Sequence, residues 1–273
     1  MRQHDIKVGI IGLGHVGSHL AKQLAKSCSL VTYDIASSSE YPTSELRDCD
    51  LTMICVDTPP LPSGDININN VFNAVSRCPS KTLLVRSTVP PGTTDQIAQA
   101  TGKQVLFSPA YVGETRYIAA PWDMLEKQTP YMIIGGSQNG RGEIIELLTR
   151  VYGPAMRFFQ CEAAEAELIK YMENSYLATK VIFVNEFRRI CSKIDLDWHT
   201  VREGWLLDSR IERDHTAAFE LDPGYAGKCL PKDVLGMIRF AQESDQHFRL
   251  LETVHEINAT LRQHTIAAEA SEN

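Results

Sequence analysis

The hydrophobic positions change their spacing once along this chain. Up to about residue 158 they come in short solid runs. These are Ile6-Lys7-Val8-Gly9-Ile10-Ile11, Leu30-Val31-Thr32-Tyr33, Leu51-Thr52-Met53-Ile54-Cys55-Val56, Lys81-Thr82-Leu83-Leu84-Val85-Arg86, Gln104-Val105-Leu106-Phe107, Tyr131-Met132-Ile133-Ile134 and Ala155-Met156-Arg157-Phe158. Runs of this length between Gly, Pro, Asp and Ser read as buried strands. Helical patterns stand between them: Val16 to Ala25, Asn69 to Arg77, a segment through Ala98, and Arg141 to Val151. Strand and helix in alternation predict an α/β fold, a doubly wound, mostly parallel Rossmann sheet over residues 1–158. From Cys161 the spacing becomes helical. Glu162 to Ser192 holds no Pro or Gly, and Leu168, Ile169, Met172, Leu177, Val181, Val184 and Phe187 fall near the 3.6-residue period. Shorter helices are predicted near Trp198–Leu207, Asp233–Glu243 and Arg249–Arg262. Residues 159–273 are thus expected to form an all-α domain around one long helix, with a frayed tail from Ala267.

Composition narrows the setting. A length of 273 residues suits two domains, and 43% hydrophobic with 22% charged residues is ordinary for a globular chain. A net charge of −7 argues against nucleic acid or an anionic membrane as the main partner. Seven cysteines with no C-x-x-C pair read as reduced thiols of a cytoplasmic protein, and no metal site is expected. No run approaches the roughly 18 apolar residues of a membrane helix.

The chemistry begins at the first strand end. Gly12-Leu13-Gly14-His15-Val16-Gly17 lies between strand and helix, and the next strand ends at Asp34. In this setting Gly12 makes the turn, Gly14 lets a pyrophosphate approach the backbone, and Gly17 packs helix on strand. The helix N-terminus offers N–H groups to phosphate. His15 has a solvated side chain and a backbone that faces the phosphates. Asp34 can accept from a ribose 2′-OH and would repel a 2′-phosphate, so NAD is expected over NADP. Thr58 and Thr88 follow consecutive strands and would line one crevice at the sheet's carboxyl edge. Thr93 or Thr94 is the expected cap of the next helix. On the long helix Lys170 and Asn174 are one turn apart and can both donate to one developing oxyanion. Asn185-Glu186 serves either the domain's interior or the cofactor. In Gly224-Tyr225-Ala226-Gly227-Lys228-Cys229-Leu230-Pro231-Lys232-Asp233, glycines permit a tight approach and the proline starts a helix. Cys229 would then sit at a helix N-terminus beside Lys228 and Lys232, a setting that favours the nucleophilic thiolate.

Taken together these residues resemble the UDP-glucose/GDP-mannose 6-dehydrogenase family, over nearly the whole chain and in order. Gly12-x-Gly14-x-x-Gly17 is similar to its NAD fingerprint. Val56-Asp57-Thr58-Pro59 resembles its V-x-T-P, and Ser87-Thr88-Val89-Pro90-Pro91-Gly92-Thr93 its S-T-V-P-P-G-T. Glu165-x-x-x-x-Lys170-x-x-x-Asn174-Ser175-Tyr176 resembles its long-helix motif, and Phe183-Val184-Asn185-Glu186 its F-x-N-E. Gly224 to Asp233 is similar to its G-Y-G-G-x-C-L-P-K-D. The resemblance implies oxidation of a primary alcohol to an aldehyde, capture by Cys229, oxidation to a thioester by a second NAD, and hydrolysis to a carboxylate. It implies that Lys170 and Asn174 stabilise the oxyanion, that Asp233 positions water and holds Lys170, and that Thr88 and Glu114 orient or activate water. It also implies that NAD meets Gly12, Gly14, His15, Val16, Gly17, Asp34, Val56, Thr58, Thr88, Glu114 and Lys232.

Three departures accompany the likeness. The family's P-E-F-L-x-E-G reads Pro109-Ala110-Tyr111-Val112-Gly113-Glu114-Thr115, so its first glutamate is Ala110. The first glycine of its G-G pair is Ala226. The family continues into another Rossmann-like domain that grips the nucleotide, and this chain ends where that domain would begin. That domain is then on a second chain, or the substrate is smaller than a nucleotide sugar, or the chain was shortened. The expected partners are a small-molecule substrate, a second copy in a homodimer and, in the first case, the second chain. Two other functions stay open: a two-electron dehydrogenase of a small hydroxy acid that needs no cysteine, and an NAD-binding, non-catalytic partner of a full-length dehydrogenase.

Overall fold

The computed structural model describes residues 6–38, 40–111 and 131–271. They fall into two compact units, the first closing at Lys170 and the second opening at Tyr171, inside one helix.

The first unit is built on seven strands: β1 (Lys7–Ile11), β2 (Ser29–Tyr33), β3 (Leu51–Ile54), β4 (Thr82–Val85), β5 (Gln104–Phe107), β6 (Tyr131–Gly135) and β7 (Arg157–Cys161). Their order is β2-β1-β3-β4-β5-β6-β7. Neighbours are parallel except β5 and β6, which meet antiparallel at Phe107 and Gly135. The solid apolar runs are explained by two cores, one on each face. Ile10, Met53, Leu84, Leu106 and Ile134 enter one core, while Ile11, Ile54, Val85, Phe107 and Ile133 enter the other. Successive side chains point to opposite faces, so a strand covered on both sides has no polar face to alternate with. From β1 the chain winds one way to β2 and the other way to β3. The carboxyl ends of β1 and β3 are therefore the switch point, where open α/β sheets bind ligands.

Helices α1 (His15–Leu24), α3 (Asn69–Arg77), α4 (Thr93–Thr101) and α5 (Gln138–Tyr152) match the sequence pattern. A short α2 (Thr43–Arg47), which the pattern did not foretell, buries Leu46 in the core. The last strand runs Arg157–Cys161 rather than Ala155–Phe158. Gly153, at φ +90°, ends α5, and a turn consumes the next residues before extension begins. The long helix α6 (Ala163–Lys193) starts on the sheet unit, where small residues permit close approach. A Cβ on Gly135 would lie 2.6 Å from that of Ala166.

The second unit holds the rest of α6 with α7 (Trp198–Trp205), α8 (Leu230–Glu243) and α9 (Arg249–Ser271). No strand follows β7 among the described residues. Ala178, Val181, Ile182, Tyr225, Leu230, Val234, Ile238, Leu251, Val254 and Leu261 form its core. α9 continues to Ser271, past the fraying expected at Ala267. The segment carries no Gly or Pro, and Ala267, Ala268 and Ala270 favour helix. No described helix is long and apolar enough to cross a membrane.

Candidate functional site

In the first unit the glycine loop closes on the switch point. Gly12 has φ +93°, and a Cβ there would lie 2.6 Å from the carbonyl oxygen of Cys55, just past β3. A Cβ on Gly17 would lie 1.8 Å from the Gly12 oxygen, so α1 approaches the turn only because Gly17 is bare. Gly14 is different: nothing lies within 4 Å of a Cβ built on it. The open space over Gly14 suits a ligand passing close to the backbone. Gly14 is the N-cap of α1 and has no side chain of its own to cap that end, and a helix N-terminus is where an anion binds. His15 is exposed and Val16 half-buried beside it. Asp34 is drawn against the loop: its carboxylate accepts from Leu13 N at 2.6 Å and from Ala36 N at 2.8 Å. A bare cradle with a carboxylate at its rim fits a dinucleotide without a 2′-phosphate.

The next strand ends are laced together. Thr58, 4% exposed, donates to the carbonyl of Thr88 at 3.0 Å. Ser87 Oγ donates to the carbonyl of Val56 at 2.6 Å. The expected crevice residues Thr58 and Thr88 are thus brought together, with Ser87 tied to Val56 beside them. Glu114 lies outside the described residues. Ala110 is buried, and the Nζ of Lys170 lies 5.1 Å from the ring centroid of Tyr111, within range of a cation–π contact.

The expected cap of α4 is corrected. Gly92, at φ +89°, is the N-cap, and neither Thr93 nor Thr94 closes the end. Glu167 does so from α6. Its carboxylate accepts from Gly92 N at 2.6 Å, from Thr94 N at 2.8 Å and from Thr94 Oγ1 at 2.6 Å. Glu167 is fully buried, and loss of solvation pushes its pKa up to about 7, against the lowering effect of those bonds. It stands three residues before Lys170, so it ties the segment after Thr88 to the helix that carries Lys170. Glu165, singled out in the sequence, accepts instead from the backbone N of Glu162.

In the second unit Cys229 is the N-cap of α8 and is half-buried, with Pro231 in the first turn. Asp233 stands one turn further in and is 1% exposed. Asn174 Nδ2 donates to its carboxylate at 2.5 Å, and the Lys232 ammonium reaches its other oxygen at 2.6 Å. Asn174 has a second N–H on the same nitrogen. Lys228 is exposed. Two groups that local pattern left unresolved or unseen grip the approach to Cys229. Asn185 Oδ1 accepts from Gly224 N at 3.2 Å, which settles Asn185 on the domain's interior. Asn258 Oδ1 accepts from Tyr225 N at 2.7 Å. A buried Asn on an otherwise apolar helix face was the available signal for Asn258.

A Rossmann-type dinucleotide-binding unit followed by a helical unit with a capping cysteine defines an oxidoreductase-type architecture. The comparisons name the family. Residues 32–156 match the UDP-glucose/GDP-mannose dehydrogenase family NAD binding domain, and residues 164–260 match the central domain of the same family. The chain belongs to the UDP-glucose/GDP-mannose dehydrogenase family, with NAD as the cofactor of its first domain. It is 30% identical over 230 residues to the UDP-glucose 6-dehydrogenase of Rickettsia prowazekii, covering 79% of this chain and 50% of that protein. It is 30% identical over 236 residues to the UDP-glucose 6-dehydrogenase TuaD of Bacillus subtilis, covering 82% and 49%. The chain therefore spans about half the length of these relatives. A solved UDP-glucose dehydrogenase from Pyrobaculum islandicum superposes with a TM-score of 0.81 at 26% identity, covering 94% of this chain and 69% of that one. A Mycobacterium tuberculosis 3-hydroxyisobutyrate dehydrogenase shares the fold, with a TM-score of 0.67 at 14% identity.

Proposed function

We propose that this chain oxidises the primary alcohol of a nucleotide sugar, or of a smaller sugar-like alcohol, toward the carboxylate through a covalent bond to Cys229. The observation that carries the reading is the capping position of Cys229 on a helix whose first turn carries Lys232 and Asp233, with Asn174 of α6 bonded to Asp233. A helix N-terminus favours the thiolate, which is the form that attacks a carbonyl. Bound NAD supplies a hydride acceptor for each of two oxidations. The Cys229 sulfur adds to the aldehyde carbon, and the thiohemiacetal loses hydride to become a thioester. Water then cleaves the C–S bond, releasing the acid and the thiol. Asp233 holds one N–H of Asn174, so the other N–H and the Lys170 ammonium serve the oxyanion. Thr88 and Glu114 orient water, and Glu114 is the one carboxylate of its motif left for hydrolysis because the family's other glutamate is Ala110.

The working form in this reading is a homodimer in the cytoplasm. Seven free thiols and the exposed apolar face of α6, including Phe183, Phe187 and Ile190, support it. NADH formed per substrate consumed, over UDP- and GDP-sugars, sugar phosphates and small primary alcohols, tests the activity. Two NADH are expected from the wild type and at most one, with aldehyde left unoxidised, from Cys229→Ala. A second reading, a two-electron dehydrogenase of a small hydroxy acid, is favoured by one observation. The 3-hydroxyisobutyrate dehydrogenase fold covers 95% of this chain and 94% of that one. One NADH per substrate from the wild type, with the rate and stoichiometry unchanged in Cys229→Ala, would select it. No NADH from any substrate would overturn both readings for the isolated chain and favour a partner of a longer dehydrogenase.

A further inference from the structure

Asn174 and Asn185 are eleven residues apart on α6. Eleven residues are about three turns, so both amides leave one face, roughly 16 Å apart along the axis. They are 5% and 2% exposed. Asn174 holds Asp233, beyond Cys229, and Asn185 holds the N–H of Gly224, before it. From α9 Asn258, 7% exposed, takes both backbone groups of the next residue. Its Oδ1 accepts from Tyr225 N at 2.7 Å and its Nδ2 donates to Tyr225 O at 3.1 Å. Gly224 is bare because it must be. Its φ is +77°, and a Cβ there would lie 2.4 Å from Asn258 Oδ1. Tyr225 is 1% exposed in the unit's core. The chain is thus pinned at residues 224–225 and again at 233. Between the pins Gly227, at φ +88° with open space around it, turns the backbone toward Cys229.

We infer that Asn185 and Asn258 are positioning residues for Cys229, setting by their grip on Gly224–Tyr225 where the segment delivers the sulfur at the start of α8. Neither side chain is assigned a contact with substrate. The inference rests on Cys229 being the nucleophile, and its test separates the two. Iodoacetamide alkylation at Cys229 is followed by peptide mass spectrometry from about pH 6 to 10, with half-buried Cys161 as the internal reference. Wild-type Cys229 is expected to outpace Cys161 at neutral pH. Asn258→Ala and Asn185→Ala are expected to slow Cys229 about tenfold at neutral pH and to move its rate profile to the alkaline side, because the thiolate fraction falls. Asn258→Asp keeps the acceptor for Tyr225 N–H and is expected to recover most of the rate. Should the alanine variants fail to fold, Asn258→Asp decides. A small alkaline displacement is expected, and an unmoved profile overturns the inference. Alanine variants that melt lower but keep the wild-type profile would show a merely structural grip. A wild-type Cys229 no faster than Cys161 would sink the nucleophile reading and this inference with it.

Discussion

Among the described residues, each unit of this protein buries one carboxylate almost completely, and the two are held in opposite ways. Glu167 in the sheet unit faces neutral donors, the N–H groups of Gly92 and Thr94 and the Thr94 hydroxyl. Burial outweighs those bonds and carries its pKa up to about 7. Asp233 in the helical unit has a cation of its own, the Lys232 ammonium at 2.6 Å, and the Asn174 amide at 2.5 Å. The difference follows from what each carboxylate does. A carboxylate that closes a helix end answers partial charges on N–H groups, and no full cation is required. One that orients an amide near the proposed nucleophile lies against the Lys232 ammonium, which pairs its buried charge. The first is a device of the fold and the second belongs to the proposed chemistry.

The comparison breaks most visibly at Asp233. Asp233→Ala strips the mostly buried Lys232 of this partner and leaves the Asn174 amide without its acceptor. Removing one member of a buried pair costs about 3–5 kcal/mol. The denaturant midpoint of unfolding should fall accordingly, and a loss below about 1 kcal/mol would mean that the pair is not buried as described. Glu167→Ala is expected to cost less, about 2 kcal/mol, the worth of a helix cap with its stranded N–H groups. The loss is partly offset because a costly buried charge also disappears. The smallest effect has a sign that only the burial argument supplies. Glu167 binds its proton more tightly in the folded chain than in the unfolded one. Its contribution to stability is therefore fully present below about pH 4.5 and declines as pH rises toward about 7. Within that window the slope is at most about 1.4 kcal/mol per pH unit. Glu167→Gln should remove this slope from the pH dependence of the unfolding free energy, and an unchanged slope would contradict the assignment.

What the sequence made legible and what it hid divide along the same line. The sheet was readable because strands covered on both faces are solid apolar runs. The glycine loop was readable because its turn, its approach and its acid are fixed by backbone geometry within one βαβ unit. The spacing of Lys170 and Asn174 also followed from the helix period alone. The carboxylates were read less well. Thr93 and Thr94 offered a local cap, yet the cap came from Glu167 across the fold, because a hydroxyl in sequence reach cannot outbid a carboxylate delivered by packing. Asp233 was named beside Cys229, but its bond to Asn174 spans 59 residues. The bonds from Asn185 to Gly224 and from Asn258 to Tyr225 span 39 and 33. Local periodicity says where an amide points along its own helix. Only the packed unit says which backbone group it meets.

The central claim is that substrate carbon becomes bonded to Cys229, and intact-protein mass spectrometry reads that bond directly. The protein would be mixed with NAD and each sugar of the panel, quenched in acid within the first turnover, weighed, and digested to locate the modification. The account predicts an adduct of acyl mass on the peptide carrying Cys229, removed by hydroxylamine and absent in Cys229→Ala. NADH formation by the wild type with no adduct on that peptide, undiminished in Cys229→Ala, would contradict it.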